Sequence, residues 1–220
     1  MRKLTINTFI TLDGVMQAPG GPEEDPTSNF KYGGWSFHYW DEIMGKTMSE
    51  FMAKPFELLL GRKTYEIFAA HWPYIKNDPT ANKFNTTKKY VVSKKVNKLN
   101  WNNSFLIKDN VVQEINKLKE QNGPELQVHG SSNLIKTLVN EKLVDLFNIW
   151  TFPVTVGNGK QLFGDGTNAS AFKLIDVKSS TTGVIIATYQ PAGELKLGSF
   201  ALENETEEEL GRRRKLAAEN

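Results

Sequence analysis

The chain has 220 residues, which is enough for one domain with a substantial hydrophobic core. A hydrophobic content of 39% and a charged content of 24% are ordinary for a soluble globular protein. The net charge of +2 gives no support for a nucleic-acid partner, and the lack of cysteine excludes disulfides, thiolate catalysis and cysteine-ligated zinc.

The N-terminal segment carries no recognisable targeting signal. Residues 1–7 pass directly into an alternating strand pattern, without the apolar core or the small-residue cleavage site of a signal peptide. No apolar run approaches the ~20 residues that a membrane-spanning helix needs. We therefore expect a cytoplasmic protein with no membrane partner.

The first predicted element is a β-rich, alternating strand over residues 4–10. It leads into the turn signal Asp13-Gly14 and then into a long loop rich in proline and glycine. A loop of this length in a compact domain is usually functional, often as a lid. Residues 37–52 then space their apolar side chains three and four apart, which predicts an amphipathic helix.

Strands and helices alternate through the middle of the chain. We predict strands over residues 56–60, 89–93, 104–107, 126–129 and 146–150. We predict helices after Gly61, over residues 110–121, and from Ser131 or Ser132 through residue 139. This alternation favours an α/β fold with a largely parallel sheet that has helices on both faces. Strands at 172–177 and 184–189 have no helix between them, which predicts an antiparallel C-terminal edge.

The composition changes after residue 191. Residues 206–220 predict a charged helix, because Thr206 and Glu209 have the spacing of a capping box and acidic residues precede basic ones. We therefore divide the chain into a domain over residues 1–191 and a charged extension over 192–220. A charge run of this kind usually faces water, so we expect the extension to be a solvated appendage.

Two strand-to-helix turns are suited to bind phosphate. The first contains Gly61, Arg62 and Thr64, which combine free N–H groups at a helix N-terminus with a guanidinium and a hydroxyl. The second contains Gly130, followed by two serines, which again gives room and donors. Each turn alone could be routine, the arginine pairing with a surface carboxylate and a serine capping its helix. Two such turns at the carboxyl ends of parallel strands together predict one ligand site.

These turns do not have the glycine patterns of a standard Rossmann domain or a phosphate-binding loop. Asp13 is the candidate catalytic residue, because a carboxylate at this end of the sheet could anchor an amine-bearing heterocycle or move a proton. An Asp-Gly turn without chemistry is the alternative. Trp35 and Tyr65 are candidate substrate contacts, since aromatic rings can wall a pocket for a flat ring. The three histidines lack metal-ligand spacing, so we expect no metal.

The chain resembles the dihydrofolate-reductase-like proteins, and in particular the reductase of bacterial riboflavin biosynthesis, over about residues 4–191. Four ordered segments carry the resemblance: Thr-Leu-Asp-Gly-Val at 11–15, Leu-Gly-Arg-Lys-Thr-Tyr-Glu at 60–66, Val-His-Gly-Ser-Ser-Asn-Leu at 128–134, and the segment 143–163, which ends in Val-Gly-Asn-Gly-Lys-Gln-Leu-Phe. No deaminase domain is present, so the resemblance implies a stand-alone reductase.

The resemblance implies NADPH bound across the carboxyl edge of the sheet, with a lysine near the 2′-phosphate favouring NADPH over NADH. The first turn would contact the phosphates on the adenosine side, the second would hold the pyrophosphate, and Asp13 would border the nicotinamide and substrate pocket. The implied cofactor-binding residues are Gly14, Gly61, Arg62, Thr64, Ser93, Lys94, Gly130, Ser131, Ser132, Asn133, Val156 and Gly157.

Two departures distinguish the chain from dihydrofolate reductases proper. None of Asp41, Glu42 and Glu50 falls where the acid of those enzymes is expected relative to Gly61. Their paired glycines are replaced by Gly130-Ser131, which argues against the cis peptide bond often found at this turn, because such a bond costs ~2.5–4 kcal/mol outside proline.

The sequence therefore predicts a reductase that transfers a hydride from NADPH to a small pteridine-, pyrimidine- or ribosyl-type substrate. It would be similar to 5-amino-6-(5-phosphoribosylamino)uracil reductase, with the protein supplying orientation and electrostatics. A non-catalytic nucleotide-binding protein of the same fold and a true dihydrofolate reductase are the alternatives. The family also implies a homodimer.

Overall fold

The structure, a computed structural model, describes residues 1–219. Its strands form one sheet in the order β4-β3-β2-β5-β1-β6-β8-β7. In chain order they are β1 (Leu4–Thr11), β2 (Phe56–Gly61), β3 (Lys89–Val92), β4 (Ser104–Ile107), β5 (Glu125–Val128), β6 (Leu146–Phe152), β7 (Phe172–Ser179) and β8 (Ile185–Pro191). The first six strands pair in parallel, whereas β8 is antiparallel to both β6 and β7. The predicted α/β, dihydrofolate-reductase-like fold with an antiparallel C-terminal edge is confirmed.

The first five α-helices cover both faces of the sheet, as predicted, and a sixth follows in the C-terminal extension. They are α1 (Glu42–Ala53), α2 (Arg62–His71), α3 (Pro79–Thr86), α4 (Val111–Glu120), α5 (Ser132–Asn140) and α6 (Glu207–Ala217). Leu59 of β2 packs in the core on the α4 and α5 face, and its neighbours Leu58 and Leu60 pack in the core on the α2 and α3 face. Because side chains alternate across a strand, this apolar run is buried on both sides.

The apolar side chains of β6 divide between the faces in the same way. Phe147 and Ile149 pack with α4 and α5, while Trp150 and Phe152 pack with Met44 of α1. Since β2 and β5 are adjacent and parallel, their carboxyl ends meet at one edge, from which α2 and α5 begin. This topology brings the two predicted phosphate turns to the same place.

Three local expectations differ from the structure. The helix predicted from residue 37 begins at Glu42, because Asp41 accepts a hydrogen bond from Met44 N and caps it, and residues 37–39 form a separate 3₁₀ turn. Helix α3 was not predicted. The peptide bond between Gly130 and Ser131 is cis, so the expectation against it was wrong.

The predicted charged helix is present as α6, and Thr206 caps it by accepting a hydrogen bond from Glu209 N. The last predicted residue, Asn220, lies outside the described residues. No helix formed by residues 1–219 has the length and the apolar character required to cross a bilayer. The division of the chain at residue 191 stays a prediction.

Candidate functional site

The two predicted phosphate turns are in direct contact. The N–H of Gly61 donates to the carbonyl of Gly130 at 3.0 Å. A Cβ atom on Gly61 would lie 2.3 Å from Ser131 Oγ, and one on Gly130 would lie 2.5 Å from Thr64 Oγ1. Both turns therefore need glycine for the close approach. The structure brings Gly61, Thr64, Gly130 and Ser131 together at the carboxyl edge of the sheet.

Both helices at this contact begin without a side-chain cap. Gly61 precedes α2 and Ser131 precedes α5, and no side chain at either position accepts a capping hydrogen bond. Helix α4, which lies elsewhere, also begins without a side-chain cap. By contrast, α1, α3 and α6 are capped by Asp41, Asp78 and Thr206. The first N–H groups of an α-helix have no acceptor within the helix, so α2 and α5 leave donors and two positive dipole ends at one edge.

Arg62 begins α2, and its guanidinium donates to both carboxylate oxygens of Glu66 at 2.9 and 2.7 Å. The two side chains are partly exposed, at 33% and 47%. Exposed pairs of this kind contribute ~0–1 kcal/mol, so the guanidinium can exchange Glu66 for a phosphate at little cost. Arg62 thus pairs with a surface carboxylate, as the alternative interpretation of this turn expected. This pairing is compatible with phosphate binding.

Asp13 stabilises the loop that follows β6. Its carboxylate accepts hydrogen bonds from the N–H groups of Val156 and Gly157, the latter at 2.7 Å, and from the hydroxyl of Thr11. Burial alone would raise the pKa of Asp13, but these hydrogen bonds lower it below its ordinary value. The carboxylate is therefore charged at neutral pH and is not placed as a proton donor.

The turn around Asp13 has the form that the alternative prediction described. Gly14 donates its N–H to the carbonyl of Thr11 at 2.9 Å and has a φ of +79°, which glycine adopts without strain. The N–H groups of Val156 and Gly157 are occupied by Asp13, so they are not free for a ligand. The carboxylate of Asp13 therefore positions the loop after β6, and the catalytic role predicted for Asp13 stays a prediction.

Trp35 lies at the carboxyl end of β6. Its indole N–H donates to the carbonyl of Gln17 at 2.8 Å, and its ring packs edge-on against Phe152 with the centroids 5.2 Å apart. The ring is half-buried, so one part of it is fixed by the loop after β1 and another part is accessible. Contact with a substrate stays a prediction for this residue.

Tyr65 does not reach the candidate site. It is only 4% exposed and packs with Phe56, Phe84 and Trp101, while its hydroxyl accepts a hydrogen bond from the N–H of Trp101 at 3.0 Å. It lies one helical turn after Arg62, on the face of α2 that packs against the sheet. The predicted role of Tyr65 as a substrate contact is wrong because the side chain belongs to the core.

Ser93 and Lys94 follow β3, beside the end of β2. The hydroxyl oxygen of Ser93 accepts hydrogen bonds from the N–H groups of Lys95 and Val96, both at 3.1 Å, so it stabilises its own turn. Lys94 is exposed. The strand order places this exposed cation at the same edge as Gly61, and its contact with a 2′-phosphate stays a prediction.

A cleft of about 280 Å³ opens next to the second turn. Ser132 and Asn133 of α5 line one side, and Lys160 and Gln161 of the loop after β6 line another. Lys136 also lines the cleft and donates to the carbonyl of Asp165 at 2.7 Å. The cleft therefore joins the predicted pyrophosphate residues to two lysines.

Several site residues were missed from the sequence. Lys63 lies within the first turn and could have been named with Arg62, since both are cations at the start of a helix. Lys160, Gln161 and Asp25 had no local signal, because their partners are distant in the chain. Gln161, for example, donates to the carbonyl of Asp13 at 3.3 Å and thereby connects the cleft to the Asp13 turn.

Comparisons with known proteins identify the family of the chain. Residues 2–186 match the family model described as the RibD C-terminal domain. The chain belongs to this family. It is 30% identical to the Bacillus subtilis protein YyaP over 194 residues, which are 86% of this chain and 94% of YyaP.

Solved structures show the same fold. A Thermotoga maritima diaminohydroxyphosphoribosylaminopyrimidine deaminase/5-amino-6-(5-phosphoribosylamino)uracil reductase matches with a TM-score of 0.57 at 15% identity, over 87% of this chain and 57% of that one. A dihydrofolate reductase from Enterococcus faecalis, complexed with NADP(H), matches with a TM-score of 0.56 at 14% identity, over 86% of this chain and 96% of that one. The chain thus has the fold of a RibD-type reductase domain.

Proposed function

We propose that this member of the RibD C-terminal domain family is a reductase that transfers a hydride from NADPH to a small pteridine-, pyrimidine- or ribosyl-type substrate. The observation that carries the proposal is the contact between Gly61 and Gly130, which places the uncapped starts of α2 and α5 side by side. One dinucleotide can span two such helix starts, because each favours a phosphate.

The residues at this edge fit the cofactor. Backbone N–H groups of two first helical turns, the guanidinium of Arg62 and the hydroxyl of Thr64 form a donor set for phosphate oxygens. NADPH supplies the hydride when it is bound. The protein's own residues would orient it: Arg62 and Thr64 on the adenosine side, Ser131, Ser132 and Asn133 at the pyrophosphate, and exposed Lys94 toward the 2′-phosphate.

The turn at Asp13 would contribute to the substrate pocket by holding a neighbouring loop in place. Its hydrogen bonds to Val156 and Gly157 fix the loop after β6 next to the end of β1. With Trp35 packed on Phe152 beside it, this corner would form one wall of the substrate pocket. The structure of the site favours a reductase whose substrate is held mainly by shape and by a few polar groups.

A true dihydrofolate reductase is less well supported. The carboxylate of Asp41 accepts hydrogen bonds from Met44 N and from the N–H and hydroxyl of Thr181, and Glu50 pairs with Lys178 at 3.1 Å. Glu42 is exposed on the first turn of α1. Asp41 and Glu50 are therefore engaged by Thr181 and Lys178, which makes a true folate reductase the less supported alternative.

The first test is cofactor binding, which is measured from the quenching or enhancement of NADPH fluorescence. We expect micromolar affinity for NADPH and weaker affinity for NADH. Arg62→Ala should weaken NADPH binding about 10- to 100-fold, because a charge-assisted hydrogen bond contributes ~1.5–3 kcal/mol. Arg213→Ala, which removes an arginine from α6, is the matched control and should leave the affinity unchanged.

Turnover is the second measurement. Oxidation of NADPH is measured at a saturating NADPH concentration with a panel of candidate substrates. The panel contains dihydrofolate, aminopyrimidines, and the ribosyl and phosphoribosyl derivatives of the aminopyrimidines. Oxidation with one of these classes supports the reductase, and turnover of dihydrofolate would identify a true folate reductase. Binding of NADPH without oxidation by any of them would favour the non-catalytic alternative, and absence of micromolar binding would contradict the proposal.

A further inference from the structure

Two lysine ammonium groups meet at the carboxylate of Asp25, in the long loop between β1 and α1. Lys160 Nζ donates to Asp25 Oδ2, and Lys63 Nζ lies 4.0 Å from Asp25 Oδ1. Both ammonium groups also donate to Thr27 Oγ1, at 3.1 Å from Lys63 and 2.7 Å from Lys160. One carboxylate thus faces two cations, and the cluster carries an excess positive charge.

The two lysines come from the two sides of the candidate cofactor site. Lys63 directly follows Arg62 on the first turn of α2. Lys160 lines the cleft that also contains Ser132 and Asn133 of α5. Their ammonium groups are close to each other, because both contact Asp25 and Thr27, and each lysine is joined by its own segment to one of the helix starts that the proposed function assigns to phosphates.

The electrostatics show that one carboxylate does not satisfy this cluster fully. Burial lowers the pKa of Lys63, and the neighbouring ammonium of Lys160 lowers it further against the opposing effect of Asp25. Burial would raise the pKa of Asp25, but hydrogen bonds from Lys160 and Thr27 hold it below its ordinary value. A group with two negative charges would relieve the repulsion between the lysines better than Asp25 does.

The segment that carries Asp25 is held by hydrogen bonds and ion pairs, and none of its residues 25–29 is fully buried. The side-chain amide of Gln17 donates to the carbonyls of Asp25 and Thr27, both at 2.9 Å. Residues 26–29 are exposed, and Ser28 and Asn29 have φ values of +61° and +56°, which non-glycine residues adopt at some cost. The base of the loop is held separately, by the hydrogen bonds from Gly34 N to the carbonyl of Ala18 and from Ser36 N to that of Pro19. The contacts of the segment are therefore separate from the contacts that hold the base of the loop.

We propose that Lys63 and Lys160 form an anion site for a phosphate or diphosphate group of the ligand, and that the carboxylate of Asp25 occupies this site until the ligand displaces it. This proposal rests on the proposed function only for the identity of the ligand. The ligand group would be the diphosphate of NADPH or the phosphate of a ribosyl phosphate substrate. The segment around Asp25 is then a gate that opens in exchange for phosphate charge.

The test compares three variants with the wild-type chain. Asp25→Asn keeps the size of the side chain and removes its charge, and Lys160→Gln removes one cation of the site. Glu23→Gln is the matched control, because Glu23 is an exposed acid of the same loop and makes no ion pair within the described residues. Thermal unfolding of each variant confirms that it is folded before binding is measured.

Affinities are measured by calorimetry for inorganic pyrophosphate, NADPH and ribose 5-phosphate. Asp25→Asn should bind the anion that occupies the site about 3- to 10-fold more tightly than the wild type, because the competing carboxylate is gone. Lys160→Gln should bind the same anion about tenfold more weakly, because one cation of the site is removed. Glu23→Gln should change the affinity by less than about twofold. Changes with pyrophosphate and NADPH assign the site to the cofactor, whereas changes with ribose 5-phosphate alone assign it to the substrate.

The outcomes separate this proposal from the proposed function. If NADPH binds all variants with the wild-type affinity, and the other two probes are also unaffected, the anion site is wrong and the reductase proposal stands. If NADPH does not bind but pyrophosphate affinity changes as expected, the reductase proposal fails and the anion site stands. Weaker anion binding by Asp25→Asn would overturn the gate, because Asp25 would then support the site.

Discussion

Gly61 is the residue on which the contact between the two turns depends most directly. A methyl group at this position would meet both the hydroxyl of Ser131 and its backbone nitrogen, the latter at 2.9 Å. The hydroxyl can rotate away, but the backbone nitrogen cannot, so the two turns would have to separate. The distance between the starts of α2 and α5 is therefore set by the absence of one side chain.

We expect Gly61→Ala to weaken NADPH binding at least tenfold and to lower the free energy of unfolding by about 1–3 kcal/mol, as overpacking does in buried positions. Gly45→Ala is the control, because a Cβ there comes no closer than 3.9 Å to Trp40 Nε1 and alanine favours a helix by ~1 kcal/mol. Fluorescence titration and denaturant unfolding measure the two effects. Wild-type affinity in Gly61→Ala would show that the spacing of the turns does not control the site.

His129 makes the stability of this region depend on pH. It directly follows β5, between the rings of Phe68 and Phe84 at 6.0 and 5.7 Å, and its Nε2 is buried without a hydrogen-bond partner among the described residues. Burial lowers its pKa from 6.5 to about 4. The folded protein therefore holds this imidazole neutral at a pH where the unfolded chain protonates it.

The sign of the effect follows from that difference. Above pH 6.5 the imidazole is neutral in both states, so its contribution to stability is complete. As the pH falls from 6.5 to about 4 the unfolded chain takes up a proton that the folded protein does not, and the free energy of unfolding should fall by roughly 2–3 kcal/mol. Denaturant unfolding at several pH values measures this slope.

His129→Phe should remove most of this slope, while His38→Phe, at an exposed position, should retain it. Carboxylates whose folded pKa is lowered, such as Asp13 and Asp25, lose their contribution at lower pH and are common to both variants. The comparison therefore isolates His129. Equal slopes in the two variants would mean that the imidazole is not held neutral by its surroundings.

At the scale of elements, the strand-to-helix turns could be predicted because their signal is local. A glycine after an apolar run, followed by small or charged residues and a helical pattern, is readable within ten residues. The parallel alternation then placed both turns at one edge. The missed helix α3 also had a local signal, since Asp78 and Pro79 are a good N-cap and first residue, and the structure uses both in this way.

The roles of individual side chains at this edge were harder to predict, since they depend on contacts between distant segments. Asp13 stabilises residues more than 140 positions away, and Asp25 meets Lys160 at a separation of 135 residues. Neither pairing has a periodicity or motif in the sequence. Tyr65 failed for the opposite reason, because helical spacing alone does not distinguish a pocket wall from a side chain packed against the sheet.

At the scale of the whole molecule, the free edge of the sheet is the feature that remains uncovered. All eight residues of β7 are exposed, and β7 is the last strand in the sheet. Its register with β8 places Phe172, Leu174 and Val177 opposite Pro191, Tyr189 and Ala187, on one face. Long apolar edge strands tend to pair with another strand, so this edge requires an explanation in a folded protein.

We propose that a second copy pairs along β7, which would produce the homodimer that the family implies. An isologous interface must be complementary to itself. In an antiparallel pairing of two β7 strands, Lys173 can lie opposite Asp176 of the other copy and Phe172 opposite Val177, because the irregularity between Leu174 and Asp176 brings these pairs onto matching faces. The charge pair and the apolar pair each form twice about the axis.

The double variant Leu174→Lys with Val177→Lys should therefore be a monomer at concentrations where the wild type is a dimer, since four buried charges would repel across the axis. Leu197→Lys with Leu202→Lys is the matched control, because both leucines are exposed in the C-terminal extension, at 87% and 70%. Sedimentation equilibrium at tens of micromolar protein distinguishes the outcomes. If the wild type is a monomer, or if the β7 variant remains a dimer, this edge is covered in another way. NADPH affinity is measured on the same variants. An unchanged affinity in the monomer would show that each copy holds a complete cofactor site.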